Sequence, residues 1–306
     1  MTNDKAPLPP RRSPSLATWF NASRPNSFVA AAMPVLAALA LAWSDLGAAE
    51  SGRFLIVPAI CCLFFAVLGQ AAANLFNDFS DYRTGANPTL RAEKEKDGVN
   101  RRGLFLAALS SFIAASIFGL ATIPYGGWTI ICVGLGTGAI CFLYSVGPFP
   151  LSENGLGDVA VIVTFGLCAS VFTYFLQTQR FSLEAFALGV VFGLPINNVL
   201  VANNYADRNE DRAINKHTTV ALFGARFGRA LFLVSGLVAA ATLAWFYTLR
   251  SDWSILAALS IAACVAMTCQ GYAMMRRPGY TKDAGLAQAG KCVTLLGVLV
   301  SLAILI

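Results

Sequence analysis

The sequence predicts an all-α integral membrane protein, a bundle of nine transmembrane helices. Three observations lead there. Of 306 residues, 57% are hydrophobic and 12% charged, about half the ~25% charged share of a soluble domain. Nine stretches stay apolar over the roughly 20 residues that a bilayer crossing needs. When those stretches alternate across a membrane, Lys and Arg collect on one side. The mean hydropathy of +0.63 argues against water-soluble enzymes and disordered chains. The net charge of +6 is then a topology signal, and nucleic acid is not an expected partner.

Residues 1–23 form a polar, Pro-rich tail, expected in the cytoplasm, without the early apolar run of a cleaved signal peptide. Residues 24–306 form a single membrane domain. The spans fall near 27–44, 54–76, 104–123, 127–145, 158–177, 183–204, 228–249, 253–275 and 287–306. Pro34 and Pro195 lie inside spans and are read as kinks. With the N-terminus inside, only Arg53, Arg180 and Arg250 of the 22 Lys and Arg face outward. An even number of spans breaks that alternation. The segment between the fourth and fifth spans, SVGPFPLSENGLGD, has no Lys or Arg and is rich in Gly and Pro. Such a segment suits a re-entrant or cavity-lining loop. The eight cysteines lie in apolar stretches, form no CxxC pair, and accompany a single histidine, His217. They are read as small core hydrophobes, not as a disulfide framework or zinc site.

Two loops stand out, 77–103 and 205–227. Each follows an apolar span and opens on Asn and Asp. The spans before them are the second and sixth, which suggests a repeat of four-helix units. In NLFNDFSDYRTGANP, Asn74, Asp78 and Asp81 share one helical face. In NNYADRNEDRAINKHT, Asn203, Asp207 and Asp211 do the same. Paired carboxylates on one face repel unless a cation sits between them. Two facing pairs make a cup of four carboxylates. Oxygen-only donors suit Mg2+, which binds through a few carboxylates plus phosphate oxygens. Arg24, Arg83 and Lys216 can take the remaining phosphate charge. The implied ligand is a diphosphate at the membrane surface with a lipid tail among the helices.

Asp158, at the start of the fifth span, fits two roles, helix N-cap or cavity-facing proton handler. Asn197 and Asn198 suit either interhelical hydrogen bonds or substrate contact. His217 is read as solvated, and Arg276, Arg277 and Lys282 as topology anchors. A transporter is the rival class, since nine spans and a repeat are transporter-like. Its charges belong near mid-membrane, whereas here they cluster at one surface. A CDP-alcohol-type lipid transferase needs DG and AR elements in one helix, and none is present.

At these residues the chain resembles the UbiA superfamily of intramembrane prenyltransferases. Asn77, Asp78 and Asp81 match its NDxxD motif, and Asp207 and Asp211 its DxxxD motif. RPNSFVAAAMPVL, NDFSDYRTG, YSVGPFPLSENGLGD with FTYFLQT, and NNYADRNEDR with KHT are similar to the branch that prenylates 1,4-dihydroxy-2-naphthoate for menaquinone. Asn87 and Ala206 depart from that branch, which more often carries Asp and Arg there. The resemblance implies an enzyme that transfers a polyprenyl group from polyprenyl diphosphate to an aromatic acceptor. Dihydroxynaphthoate with decarboxylation is the expected acceptor, and another phenol the alternative. It implies Mg2+ on Asp78, Asp81, Asp207 and Asp211. Asn74, Asn77, Asn203, Asn204, Arg24, Arg83 and Lys216 are implied as substrate ligands. Asp158 is implied at the acceptor phenol and Tyr144 near the allylic cation. The expected location is a bacterial inner membrane, with the site on its cytoplasmic side.

Overall fold

The computed structural model describes residues 13–49, 52–85, 92 and 94–306, without the side chains of 83 and 84. Lys5, Arg11, Arg12, Asn87 and Arg91 lie outside that set, as does the Arg83 side chain. A short helix, α1 (Leu16–Ala22), precedes the membrane helices α2 (Phe28–Ala48), α3 (Ile56–Thr84), α4 (Arg101–Leu120) and α5 (Ile123–Ser145). Next come α6 (Gly157–Thr178), α7 (Leu183–Ala213), α8 (Thr219–Arg250), α9 (Ile255–Arg276) and α10 (Lys282–Leu305). Among the described residues, nine helices are long and apolar enough to span a membrane, and no strand is present.

Polar caps fix the helix starts. Asn100, Ser182, Thr218, Ser254 and Thr281 each accept a backbone N–H three residues on, satisfying donors that a helix start leaves unpaired. Two helices overrun their apolar stretches. At 29 and 31 residues, α3 and α7 are each about 45 Å long, against a hydrocarbon core of about 30 Å. Both acidic motifs therefore stand on projecting helical turns, and the connecting segments begin later than the polar composition suggested. Similarly α8 starts at Thr219, nine residues earlier than hydropathy placed it, because Gly224 (φ 87°) carries the chain round a bend.

The main core joins α2, α7, α8, α9 and α10 around Leu41, Leu188, Phe192, Leu243, Phe246 and Leu296. A second cluster packs Trp19 and Ala22 of α1 against Phe76 and Leu104. In α7, 72% of the most apolar stretch is buried, but in α5 only 6%. The loose packing of α5 leaves room for a cavity beside it. Residues Ile162–Cys168 of α6 wind as a π-helix where α6 crosses α7. A Cβ on Gly166 lands 2.4 Å from the Gly189 carbonyl oxygen and 2.5 Å from Gly193 Cα, so only glycine permits this approach. Cys61, Cys264 and Cys292 are buried, as expected of core hydrophobes, but Cys132 and Cys269 are exposed. Those two lie on the outward, apolar faces of α5 and α9, where lipid replaces the core.

At the end of the bundle away from the acidic motifs, Arg250 bonds Asp45 Oδ1 at 2.8 Å and Ser44 Oγ at 2.9 Å. Tyr174 Oη donates to Asp45 Oδ2 at 2.8 Å. Gln177 exchanges two hydrogen bonds with the backbone of Leu55, both 2.8 Å. These contacts tie α2, α6, α8 and the start of α3 together.

Candidate active site

A cavity of about 2040 Å³ runs beside α5, from Tyr144 near its C-terminus to Ile123 at its N-terminus. Those ends are 21 residues apart, roughly 30 Å of helix. One pole is polar and carries Arg24, Asn74, Asn77, Asp81, Asn203, Asn204, Asp207, Lys216 and Lys282. The rest is apolar, with Phe65, Phe112, Leu120, Ile130, Phe172 and Leu176 on its wall. The shape suits a molecule with a charged head and a long hydrocarbon tail.

At the polar pole the acids are surrounded by cations. Asp78 is buried and paired with Arg24 at 2.5 Å and with Lys94. Arg24 holds a left-handed backbone (φ 57°, ψ 64°) just before Pro25, a conformation costing about 1–2 kcal/mol for a side-chain-bearing residue. That backbone places the half-exposed Arg24 side chain on the buried Asp78 carboxylate. Asn74 fixes the same segment, donating to the Ser23 carbonyl at 2.8 Å and Ser27 Oγ at 2.9 Å. Its amide is thus a clamp on the chain entering α2, while its side chain also faces the cavity. On α7, Asp207 accepts from Lys282 at 2.5 Å and from Asn203 at 3.2 Å. Asp211 faces Lys216 at 3.7 Å and Thr218 Oγ1 at 3.4 Å. Asp81 and Asp207 line the cavity, whereas Asp78 and Asp211 are not part of its wall. Among the described residues, no three His, Cys, Asp or Glu side chains converge as a metal cluster. The donors are all carboxylate and amide oxygens, and their partners are cations, which is donor chemistry that fits a hard divalent ion.

Sequence reasoning missed two of these cations. Lys282 was read as a topology anchor, yet it lies on Asp207. Lys94 was counted only as loop charge, yet it lies on Asp78. A lysine beginning the last span was the available signal for the first. Arg208, two residues beyond Ala206, is turned away from the acids. It donates to the Tyr205 carbonyl at 2.5 Å and stacks 4.6 Å from the Tyr205 ring. Just outside α9, burial pushes the Tyr280 phenol up to about 12, and it donates to the Ala202 carbonyl at 3.2 Å.

Asp158 is not an N-cap. The cap position is Leu156, and Asp158 lies in the first turn. Its carboxylate crosses to other helices, accepting from Asn197 Nδ2 at 3.0 Å and Thr219 Oγ1 at 2.7 Å. Asn197 therefore makes an interhelical bond, and Asn198 likewise donates to the Phe232 carbonyl at 2.9 Å. Asp158 and Thr219 line the cavity, as does Tyr144. The Tyr144 hydroxyl sits 3.5 Å from where a Cβ on Gly157 would be, an ordinary contact distance. The Gly/Pro segment before α6 also lines the cavity through Ser152, Gly155 and Gly157. Its Glu153 bridges the two halves. The side chain accepts from Ser80 Oγ on α3 at 2.9 Å, and the carbonyl from His217 N at 2.8 Å. The His217 side chain is exposed.

Comparison with known proteins gives the family and the fold. Residues 31–289 match the model of the UbiA prenyltransferase family. The chain is 29% identical over 295 residues to a Mycobacterium tuberculosis protein named 1,4-dihydroxy-2-naphthoate octaprenyltransferase, covering 93% of this chain and 97% of that one. A Haemophilus influenzae protein of the same name is 27% identical over 237 residues, 74% of this chain and 75% of its own. In fold the chain is similar to a UbiA homologue from Archaeoglobus fulgidus solved with GPP and Mg2+. That likeness has a TM-score of 0.64 at 12% identity and covers 94% of this chain and 99% of that one. Prenyl transfer to an aromatic acceptor is the reaction the two relatives' names share. The chain therefore belongs to the UbiA prenyltransferase family and is an integral membrane prenyltransferase.

Proposed function

We propose that this enzyme transfers a polyprenyl group from a polyprenyl diphosphate to 1,4-dihydroxy-2-naphthoate, with loss of the acceptor carboxylate as CO2. The observation that carries the proposal is the single cavity joining a polar pole to a long apolar channel, with Asp158 on its wall. Asp78, Asp81, Asp207 and Asp211 would hold Mg2+, which when bound supplies positive charge to the departing diphosphate. Arg24, Lys216 and Lys282 orient the diphosphate and take up negative charge as the allylic C–O bond breaks. Asn77, Asn203 and Asn204 line the same pole and donate hydrogen bonds to it. Arg83, on the last turns of α3, completes the set on sequence grounds alone.

The diphosphate leaves with the bonding electrons. The apolar wall keeps water from the allylic cation, and the Tyr144 ring supplies a face beside it. The acceptor ring attacks through the carbon bearing the carboxylate. The C–C bond to CO2 then breaks and its electrons restore aromaticity. Asp158, held by Asn197 and Thr219, takes the acceptor hydroxyl proton, which raises the ring's electron density. Residues 24–306 form the catalytic domain, with the polar pole on the cytoplasmic side of a bacterial inner membrane.

The test supplies purified protein with a polyprenyl diphosphate and, in parallel, dihydroxynaphthoate, 4-hydroxybenzoate and homogentisate. The expected result is prenylated naphthol with one CO2 released per turnover. Turnover should be lost with a chelator and regained with Mg2+. Product from a hydroxybenzoate alone, or turnover unaffected by chelation, overturns the assignment.

A further inference from the structure

We propose that Lys291 anchors the carboxylate of the aromatic acceptor and so determines specificity for an acid over a plain phenol. The proposal rests on the preceding reading only in taking the acceptor to be an aromatic acid.

Four cations line the cavity: Arg24, Lys216, Lys282 and Lys291. The first three are each paired with an acid of the two motifs. Lys291 is exposed along the cavity's edge and has no acid partner among the described residues. It stands on α10 nine residues beyond Lys282, about 13–14 Å further along the helix, where the wall is already apolar. An ammonium inside a span is costly unless it faces a cavity or a partner. Side chains lean toward the N-terminus of their helix, here the acidic pole. The ammonium is thus carried back to within one or two turns of the level of Asp207. That is the depth at which the allylic carbon of a diphosphate held at the pole has to lie. The acceptor carbon that attacks it, and the carboxylate on that carbon, belong at the same level.

The wall beside Lys291 leaves space for a ring. A Cβ on the adjacent Gly290 would meet nothing within 4 Å. Thr294, one turn on, has its hydroxyl committed to the Gly290 carbonyl at 3.0 Å, so the ammonium is the free polar group on this stretch of α10. A diphosphate and a carboxylate are both anions, and separate cations at separate depths keep them from competing for one site.

The variants Lys291→Met and Lys291→Arg test this in purified full-length protein. Equilibrium binding of dihydroxynaphthoate and of 1,4-dihydroxynaphthalene is followed by fluorescence, and KM is measured for each substrate. The expected result is that Lys291→Met weakens binding of the acid about tenfold or more. Binding of the decarboxylated analogue and KM for the prenyl diphosphate stay unchanged, and Lys291→Arg restores part of the preference. If Lys291 only snorkels to the interface, the Met variant keeps the wild-type preference, and the proposal is overturned. Should the wild type accept a hydroxybenzoate instead, the naphthoate assignment falls, and the same comparison with phenol still decides the role of Lys291. A wild type that binds acid and decarboxylated analogue equally overturns the anchor.

Discussion

Replacing Asp158 with Asn separates a proton-handling role from a structural one. The carboxylate accepts from Asn197 at 3.0 Å and from Thr219 at 2.7 Å. An amide offers one acceptor oxygen where the carboxylate offers two. If that oxygen keeps the Asn197 bond, the new NH2 faces Thr219, whose hydroxyl can rotate and accept. Both charge-assisted bonds therefore become neutral ones, a net cost of about 1–3 kcal/mol in total. Loss of a general base typically costs 10²- to 10⁴-fold in rate, about 3–5 kcal/mol of barrier. The rate effect is thus expected to be the larger of the two. The assay is turnover at saturating prenyl diphosphate and acceptor, alongside thermal unfolding in the same detergent. Thr219→Val is the companion variant. It leaves the carboxylate in place but removes one of its two holders, and should cost about tenfold in rate. A Asp158→Asn variant within threefold of wild-type turnover refutes the proton-handling role. So does an equal loss in both variants that tracks a fall in melting temperature.

Asp78→Asn and Asp207→Asn should each lower turnover by more than about 100-fold, because each removes a donor from the acidic pole and leaves a cation, Lys94 or Lys282, without its partner; product formation in membranes is the check. Gly166→Val should destabilise the protein by about 1–3 kcal/mol or more, since its Cβ meets α7 backbone at 2.4 Å, which a thermal melt will register. At the opposite end, Arg250→Met leaves Asp45 Oδ1 and Ser44 Oγ without the Arg250 donor, while Tyr174 still donates to Asp45 Oδ2. The loss should be about 1–2 kcal/mol, moderated by partial exposure, with KM for both substrates unchanged.

The spans and acidic motifs were legible in sequence because both signals are local. A run of some 20 apolar residues and an i, i+4 pair of Asp are each visible within one window. The helix ends were less so, since hydropathy marks where the apolar run stops. Helix α3 continues through Asp78 and Asp81 because cations and backbone groups on other elements satisfy its polar side chains. The partners of the acids were illegible for the same reason. Lys282 reaches Asp207 across 75 residues, and Thr219 reaches Asp158 across 61. Sequence offered an N-cap as one role for Asp158, since a Gly-Leu-Gly-Asp run before an apolar helix carries that local signature. Only the packing of α6 on α7 and α8, fixed by the glycines at their crossing, gives its carboxylate better partners.

The charge balance of the polar pole constrains how it can work. Among the described residues, Asp78 faces Arg24 and Lys94, Asp211 faces Lys216, and Asp207 faces Lys282, so each of these three acids has at least one cation against it. Pairing lets these acids stand at the mouth of an apolar cavity, where an unpaired charge is costly. A diphosphate entering alone would compete with these carboxylates for the same cations. On the proposed reading the carboxylates would hold Mg2+, which would supply the positive charge they now draw from the side chains, leaving Arg24, Lys216 and Lys282 for the phosphate oxygens. The ion pairs seen here are therefore partners in exchange, and Lys282→Met should weaken diphosphate binding even though Lys282 touches an acid in this structure. Isothermal titration with an inert diphosphate analogue and Mg2+ measures that directly, and affinity equal to wild type refutes the exchange.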